Sequence, residues 1–178
     1  MNYKDLERNI TDTIIEQQLK LGYEQETVGL YYPVDSIANL LHKKNKNIQQ
    51  IDSLLNDFKK TVEETLGNLT IERNNNRYCI KIPPKGSSYI HSIIDEQSFL
   101  VKFVRAISHK ECKLEDLLSV FYEFSKDINC DNIVSEEFDY VIYFQDDEID
   151  SYYYCIKKEE CHMTYHRFTK SDYHDLKI

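Results

Sequence analysis

The apolar residues at the start of the chain return at helical spacing. Tyr3, Leu6, Ile10, Ile14 and Leu21 share one face of a helix from Tyr3 to Leu21, charged residues fill the gaps, and Gly22 is its stop. Val28 to Pro33 is short and aromatic and ends at a proline, which disfavours helix in the residue before it, so it predicts a brief strand. Capping residues in Pro33-Val34-Asp35-Ser36 then open a short helix with Ile37, Leu40 and Leu41 on one face. The polar run His42 to Asn47 makes a turn. Ile48, Ile51, Leu54, Leu55, Phe58, Val62 and Leu66 mark a long third helix closed by Gly67. Leu69 to Arg73 and Arg77 to Ile82, joined by three asparagines that tolerate positive φ, read as a hairpin.

After Pro83-Pro84-Lys85-Gly86 the pattern changes. Ser87 to Asp95 suggests a helical turn or two. Phe99, Leu100, Phe103, Val104 and Ile107 define an amphipathic helix from Ser98 to His109, and Leu117, Leu118, Phe121 and Phe124 a second from Leu114 to Ser125. Ile128 to Ser135 suggests a short strand. Three strands follow, Phe138 to Phe144, Ser151 to Ile156 and His162 to Phe168, separated by acidic turns, so an antiparallel meander is the economical arrangement. Thr169-Lys170-Ser171-Asp172 is a capping box for a last short helix.

The expected fold class is therefore α+β: a winged-helix-like first part, residues 1–86, followed by an acidic part, residues 87–178, in which a helical pair packs on an antiparallel sheet. A linker of only four residues leaves room for the two to form one continuous unit.

Charge separates the halves. The net charge is −9, yet residues 1–86 hold 12 Lys and Arg against 12 Asp and Glu, while residues 87–178 hold 10 against 19. An acidic partner would have to meet the first half. Five cysteines without a CxxC pair form neither a disulfide framework nor a thiolate zinc site, and read as reduced thiols. The charged, amphipathic start is unlike a signal peptide, and no segment approaches the roughly 20 apolar residues that span a bilayer. A cytoplasmic protein without membrane insertion is the expectation. The sequence sets no oligomeric state.

The order of elements in the first half points to a DNA-contacting module, in which the third helix enters a major groove and the hairpin rides over backbone. Lys43, Lys44 and Lys46 in the turn, with Arg73 and Arg77 beside the wing tip, would meet phosphates. Gln49, Gln50, Ser53 and Asn56 on the third helix could read base edges. Against this stands the balance of that helix, where Asp52, Asp57, Glu63 and Glu64 outweigh Lys59 and Lys60, and protein contact is favoured over DNA.

In the second half His162 and His166 invite a metal-site reading. On a strand they share a face about 13 Å apart, too far for one ion, while Cys161 points to the opposite face. No metal and no cofactor is expected. The acidic turn Asp146 to Asp150 lacks the glycine and terminal glutamate of a calcium loop, and with four glycines in the chain no phosphate-cradling loop exists. Tyr152, Tyr154, His162, Tyr165, His166 and Arg167 form a candidate ligand surface, aromatic and cationic, on the last strands. Two functions result: a non-enzymatic binding or regulatory module, or, as the alternative, a ligand binder or enzyme using that Tyr/His/Arg surface. No catalytic residue is assigned to the second.

The strings Leu30-Tyr31-Tyr32-Pro33, Ile82-Pro83-Pro84, Phe138-Asp139-Tyr140, Tyr152-Tyr153-Tyr154-Cys155, Cys161-His162 and Tyr165-His166-Arg167-Phe168-Thr169 carry a resemblance. The chain resembles, over nearly its whole length, an uncharacterised bacterial family, a domain of unknown function found mainly in Firmicutes. That resemblance implies a bacterial cytoplasmic setting and a single family-wide unit; it brings no activity, cofactor or catalytic residue.

Overall fold

The first helix, α1 (Lys4–Leu21), buries Leu6, Ile10, Ile14 and Ile15 along one stripe and closes at Gly22, whose φ of 76° is left-handed and whose N–H donates to the Gln18 carbonyl. It belongs to a computed structural model that describes residues 3–43 and 47–176. Within it the chain forms two units, Met1–Ile94 and Asp95–Ile178.

In the first unit α1 is followed by β1 (Val28–Pro33), α2 (Val34–Leu40), α3 (Ile48–Thr61), the single turn α4 (Glu63–Leu66), the hairpin β2 (Thr70–Asn74) and β3 (Arg77–Ile82), and α5 (Pro84–Ser92). The three strands are antiparallel in the order β1-β3-β2, with Val28 opposite Ile82 and Asn74 opposite Arg77. The second strand of the hairpin, β3, thus lies between β2 and β1. Alternation fixes its register: Val28 and Leu30 of β1 and Tyr78, Ile80 and Ile82 of β3 point inward onto the helices. The hairpin turns through Asn75 at a φ of 52°, as the asparagine run suggests.

Two details depart from the sequence pattern. The long third helix breaks after Thr61, where two adjacent β-branched residues meet and the Thr61 hydroxyl donates back to the Asp57 carbonyl. The Pro83 to Gly86 run is not a linker between parts. Pro84 takes the first position of α5, and this helix lies with the first unit, so that unit ends at Ile94 and not at Gly86. Gln18 Nε2 donates to both the carbonyl and the hydroxyl of Ser87, at 3.3 and 3.2 Å, and Gln18 Oε1 meets His91 Nδ1 at 3.1 Å. Gly86 lies where α5 abuts the end of α4; a Cβ there would stand 2.3 Å from the Leu66 carbonyl oxygen.

The second unit opens with α6 (Phe99–Ile107) and α7 (Leu114–Phe124), then β4 (Ile128–Asn132), β5 (Tyr140–Phe144), β6 (Tyr152–Lys158), β7 (Met163–Thr169) and α8 (Lys170–Asp175). The sheet is a four-stranded antiparallel meander, β4-β5-β6-β7. Its inner face packs on α6 and α7 through rings: Phe103 meets Phe121, Tyr154 and Tyr165 with centroids 5.9, 4.6 and 4.9 Å apart, and Phe99 meets Phe144 at 4.8 Å, all edge-on with planes inclined by 61° to 90°. The outer face carries Val141, Tyr153 and Cys155, covered in part by Ile133, Phe138, Phe168 and Tyr173 of α8. Thr169 caps α8 by accepting the Asp172 N–H at 3.1 Å, as the capping box foretells. Among the described residues no helix is long and apolar enough to cross a membrane.

Candidate functional site

Two surfaces carry the sequence candidates, one in each unit. In the first, α3 begins where Asn47 accepts the Gln50 N–H, and it buries Ile51, Leu55 and Phe58. Helical periodicity then leaves Gln49, Gln50, Ser53, Asn56, Asp57 and Lys60 exposed. Asp52 faces the sheet, where its Oδ1 accepts the hydroxyl of the buried Tyr78 at 2.6 Å and ties α3 to β3. Burial, followed by that bond to Asp52, holds the Tyr78 phenol well above its ordinary range.

Three of the five expected cations fall among the described residues. Lys43 is half-buried beyond α2, with its N–H on the Ala38 carbonyl; Lys44 and Lys46 lie outside the described residues. Arg73 and Arg77 are both exposed on the hairpin, but Arg73 Nη1 donates to the Asn75 carbonyl at 3.3 Å. Nearby lysines are matched by acids: Lys60 Nζ is 3.5 Å from Asp57 and Lys81 Nζ 3.1 Å from Glu72.

In the second unit, cross-strand register sorts the six candidate ligand residues. Tyr154 stands opposite Arg167, Ile156 opposite Tyr165 and Tyr152 opposite Thr169, so these side chains share the inner face. Tyr154 has no exposed surface, and its hydroxyl donates to Asp150 Oδ2 at 3.2 Å while Asp150 Oδ1 accepts the Tyr152 N–H at 2.8 Å. Arg167 lies with its guanidinium carbon 4.4 Å from the Tyr152 ring centre. His166 stands opposite Cys155 on the outer face, exposed, with its ring 4.3 Å from that of Phe168. His162 is exposed in the turn before β7, not on the strand as the sequence suggests, and its carbonyl accepts the Glu159 N–H. The structure therefore brings Tyr152, Tyr154, Tyr165 and Arg167 to one face, largely as packing, and sets both histidines apart from them.

His162 and Cys161 instead line a cleft of about 1220 Å³ with Cys112 and Tyr140, whose walls carry three lysines and four glutamates. Among the described residues no three His, Cys, Asp or Glu side chains are grouped to hold a metal ion. Burial pushes the Cys112 thiol above its ordinary value, helped by Asp116, and pushes that of Cys155 up to about 12, which suits neither to nucleophilic attack.

Sequence reasoning missed a pocket of about 330 Å³ on the outer face, lined by Asp131, Val134, Val141, Tyr143, Tyr153 and Tyr173 among others. Its rings come from β5, β6 and α8, and only the sheet register brings them together.

Fold and surfaces together define a two-unit α+β protein, one unit with a three-stranded antiparallel sheet among helices and the other with a helix-backed four-stranded meander. The chain belongs to the family described as a domain of unknown function, E. rectale gene description (DUF3877), whose model matches residues 3–177. No curated protein and no solved structure matches it.

Proposed function

We propose that this protein is a non-enzymatic binding module that engages another protein, in preference to DNA, through the outward face of α3 and the β2–β3 hairpin. The observation that carries this reading is the charge state of that surface. Its central residues Gln49, Gln50, Ser53 and Asn56 are exposed and uncharged, and the flanking Lys60 and Lys81 are matched by Asp57 and Glu72. Depletion of charged residues at the centre is one mark of a protein interface. A DNA-contacting face needs a surplus of cations to displace the counterions of the phosphates, and residues 1–86 have none.

The test is salt-dependent binding of the full chain to random double-stranded DNA, beside a variant with Lys43, Lys44, Lys46, Arg73 and Arg77 changed to alanine. In parallel, a photo-crosslinking residue replaces Gln50 or Asn56 in cells. The reading expects no DNA binding at low salt and a discrete protein adduct from both positions. DNA binding whose log–log salt slope falls by about 0.9 for each cation removed would replace the protein partner with DNA.

A further inference from the structure

The pocket on the outer face of the second sheet has a composition that selects a ligand class. Tyr143 and Tyr153 are neighbours on β5 and β6, with ring centres 4.1 Å apart and planes inclined by 51°. Tyr173 of α8 stands perpendicular to Tyr153 at 4.6 Å, and His174 adds a ring 5.9 Å from Tyr153. Three tyrosine rings at different inclinations thus make a corner. Among the described residues, Asp131 on β4 is its one acidic lining residue and no lysine or arginine lines it, and Val134 at the rim is fully exposed. Burial, and then the neighbouring Cys155, Tyr143 and Asp131, hold the Tyr173 phenol above its ordinary range; burial and Tyr143 do the same for Tyr153. The Tyr153 and Tyr173 phenols therefore keep their protons at physiological pH. Lys170 of α8 donates to Asp147 Oδ2 at 3.4 Å, and its charge partly offsets the rise at Tyr153.

From these placements we infer that the pocket bounded by Tyr143, Tyr153, Tyr173 and Asp131 binds a small-molecule quaternary ammonium ion. Aromatic faces carry negative potential and attract a cation whose charge is spread over methyl groups, and those methyls are also the apolar surface the rings can cover. Asp131 supplies a countercharge at the edge, and an anionic ligand would meet it with no lysine or arginine among the described lining residues to compensate. A volume of about 330 Å³ lies at the small end of ligand pockets, which suits a compact head group and not a nucleotide. This site lies within the second unit and is independent of the α3 surface.

The experiment titrates choline into the full chain carrying ring-labelled tyrosine and follows the ring resonances by NMR. The neutral isostere 3,3-dimethylbutan-1-ol serves as the reference for shape. Choline is expected to shift the Tyr143, Tyr153 and Tyr173 signals at millimolar concentration and to bind at least about fivefold better than the isostere. Asp131→Asn, an exposed change on an edge strand, is expected to weaken choline several-fold and leave the isostere unchanged; Tyr173→Leu should remove both. No shift of these three rings by choline, equal binding of the isostere, or indifference to Asp131→Asn would overturn the assignment. Because Asp131→Asn leaves the packed rings intact, the test does not depend on the fate of α8 in the Tyr173 variant.

Discussion

Replacing Gly86 by alanine tests how α5 is joined to the first unit. The added Cβ would stand 2.3 Å from the Leu66 carbonyl oxygen, 2.6 Å from Ile82 Cγ2 and 2.9 Å from the Leu66 carbonyl carbon. Two of these three atoms are backbone, so no rotamer change relieves them, and α5 must withdraw from the end of α4. Overpacking of this kind costs about 3 kcal/mol at the upper end of its usual range. Alanine returns about 1 kcal/mol through helix propensity and a less free unfolded chain. The net expectation is a loss of about 2 kcal/mol. Urea denaturation with amide exchange of α1 and α5 as the readout should show a lower midpoint for the first unit at an unchanged m-value. Gly29→Ala is the control, since nothing lies within 4 Å of its would-be Cβ. A Gly86→Ala protein as stable as the Gly29→Ala protein would refute the close approach, and with it the assignment of α5 to this unit.

The remaining expectations concern both units. Phe103→Ala should cost the second unit about 3–5 kcal/mol, because it empties the place where Phe99, Phe121, Tyr154 and Tyr165 converge. The exposed Lys102–Glu123 pair is worth at most about 1 kcal/mol, so Lys102→Ala should barely move the same melting curve. Tyr78→Phe removes a donor to Asp52 and should cost about 1–3 kcal/mol, with faster amide exchange along α3. The Cys155 thiol, pushed up from 9.0 to about 12 by burial, keeps its proton in the folded state after the unfolded chain has lost it. Its contribution is complete below pH 9 and is lost as pH rises toward 12, at up to about 1.4 kcal/mol per pH unit. Cys155→Ala should flatten this part of the stability profile. An alkaylating reagent at neutral pH should label the exposed Cys161 and leave Cys155 unmodified until the unit unfolds.

Much of the first unit was legible because its signals are local. Gly22 and Gly67 stop helices at φ values of 76° and 75°, Asn75 turns the hairpin, and the spacing of Ile51, Leu55 and Phe58 predicts which face of α3 is buried. Local signals fail where two segments compete for one stretch. Pro83 to Gly86 has the composition of a linker, and what makes it the start of a helix is the surface of α4 and the buried amide of Gln18, which lies 69 residues away from Ser87.

The candidate ligand residues show the same limit more sharply. Alternation along β7 puts Tyr165 and Arg167 on one face and His166 on the other, and this follows from strand geometry alone. Which face meets the helices does not. Tyr154 looks like a ligand-facing tyrosine in the sequence and is a core residue, whereas Tyr143, Tyr153 and Tyr173 are strung across 31 positions and line one pocket.

By itself the sequence determined the α+β class, the order of elements, most helix and strand bounds, and the division of charge between the halves. Each of these depends on spacing, caps and composition within a few residues. The tertiary structure alone decided the β1-β3-β2 pairing, the side of the meander that α6 and α7 cover, the place of α5, and the assembly of the tyrosine pocket. Those depend on which distant apolar faces find one another, and the free energy of that burial is set by shape and register that no single segment contains.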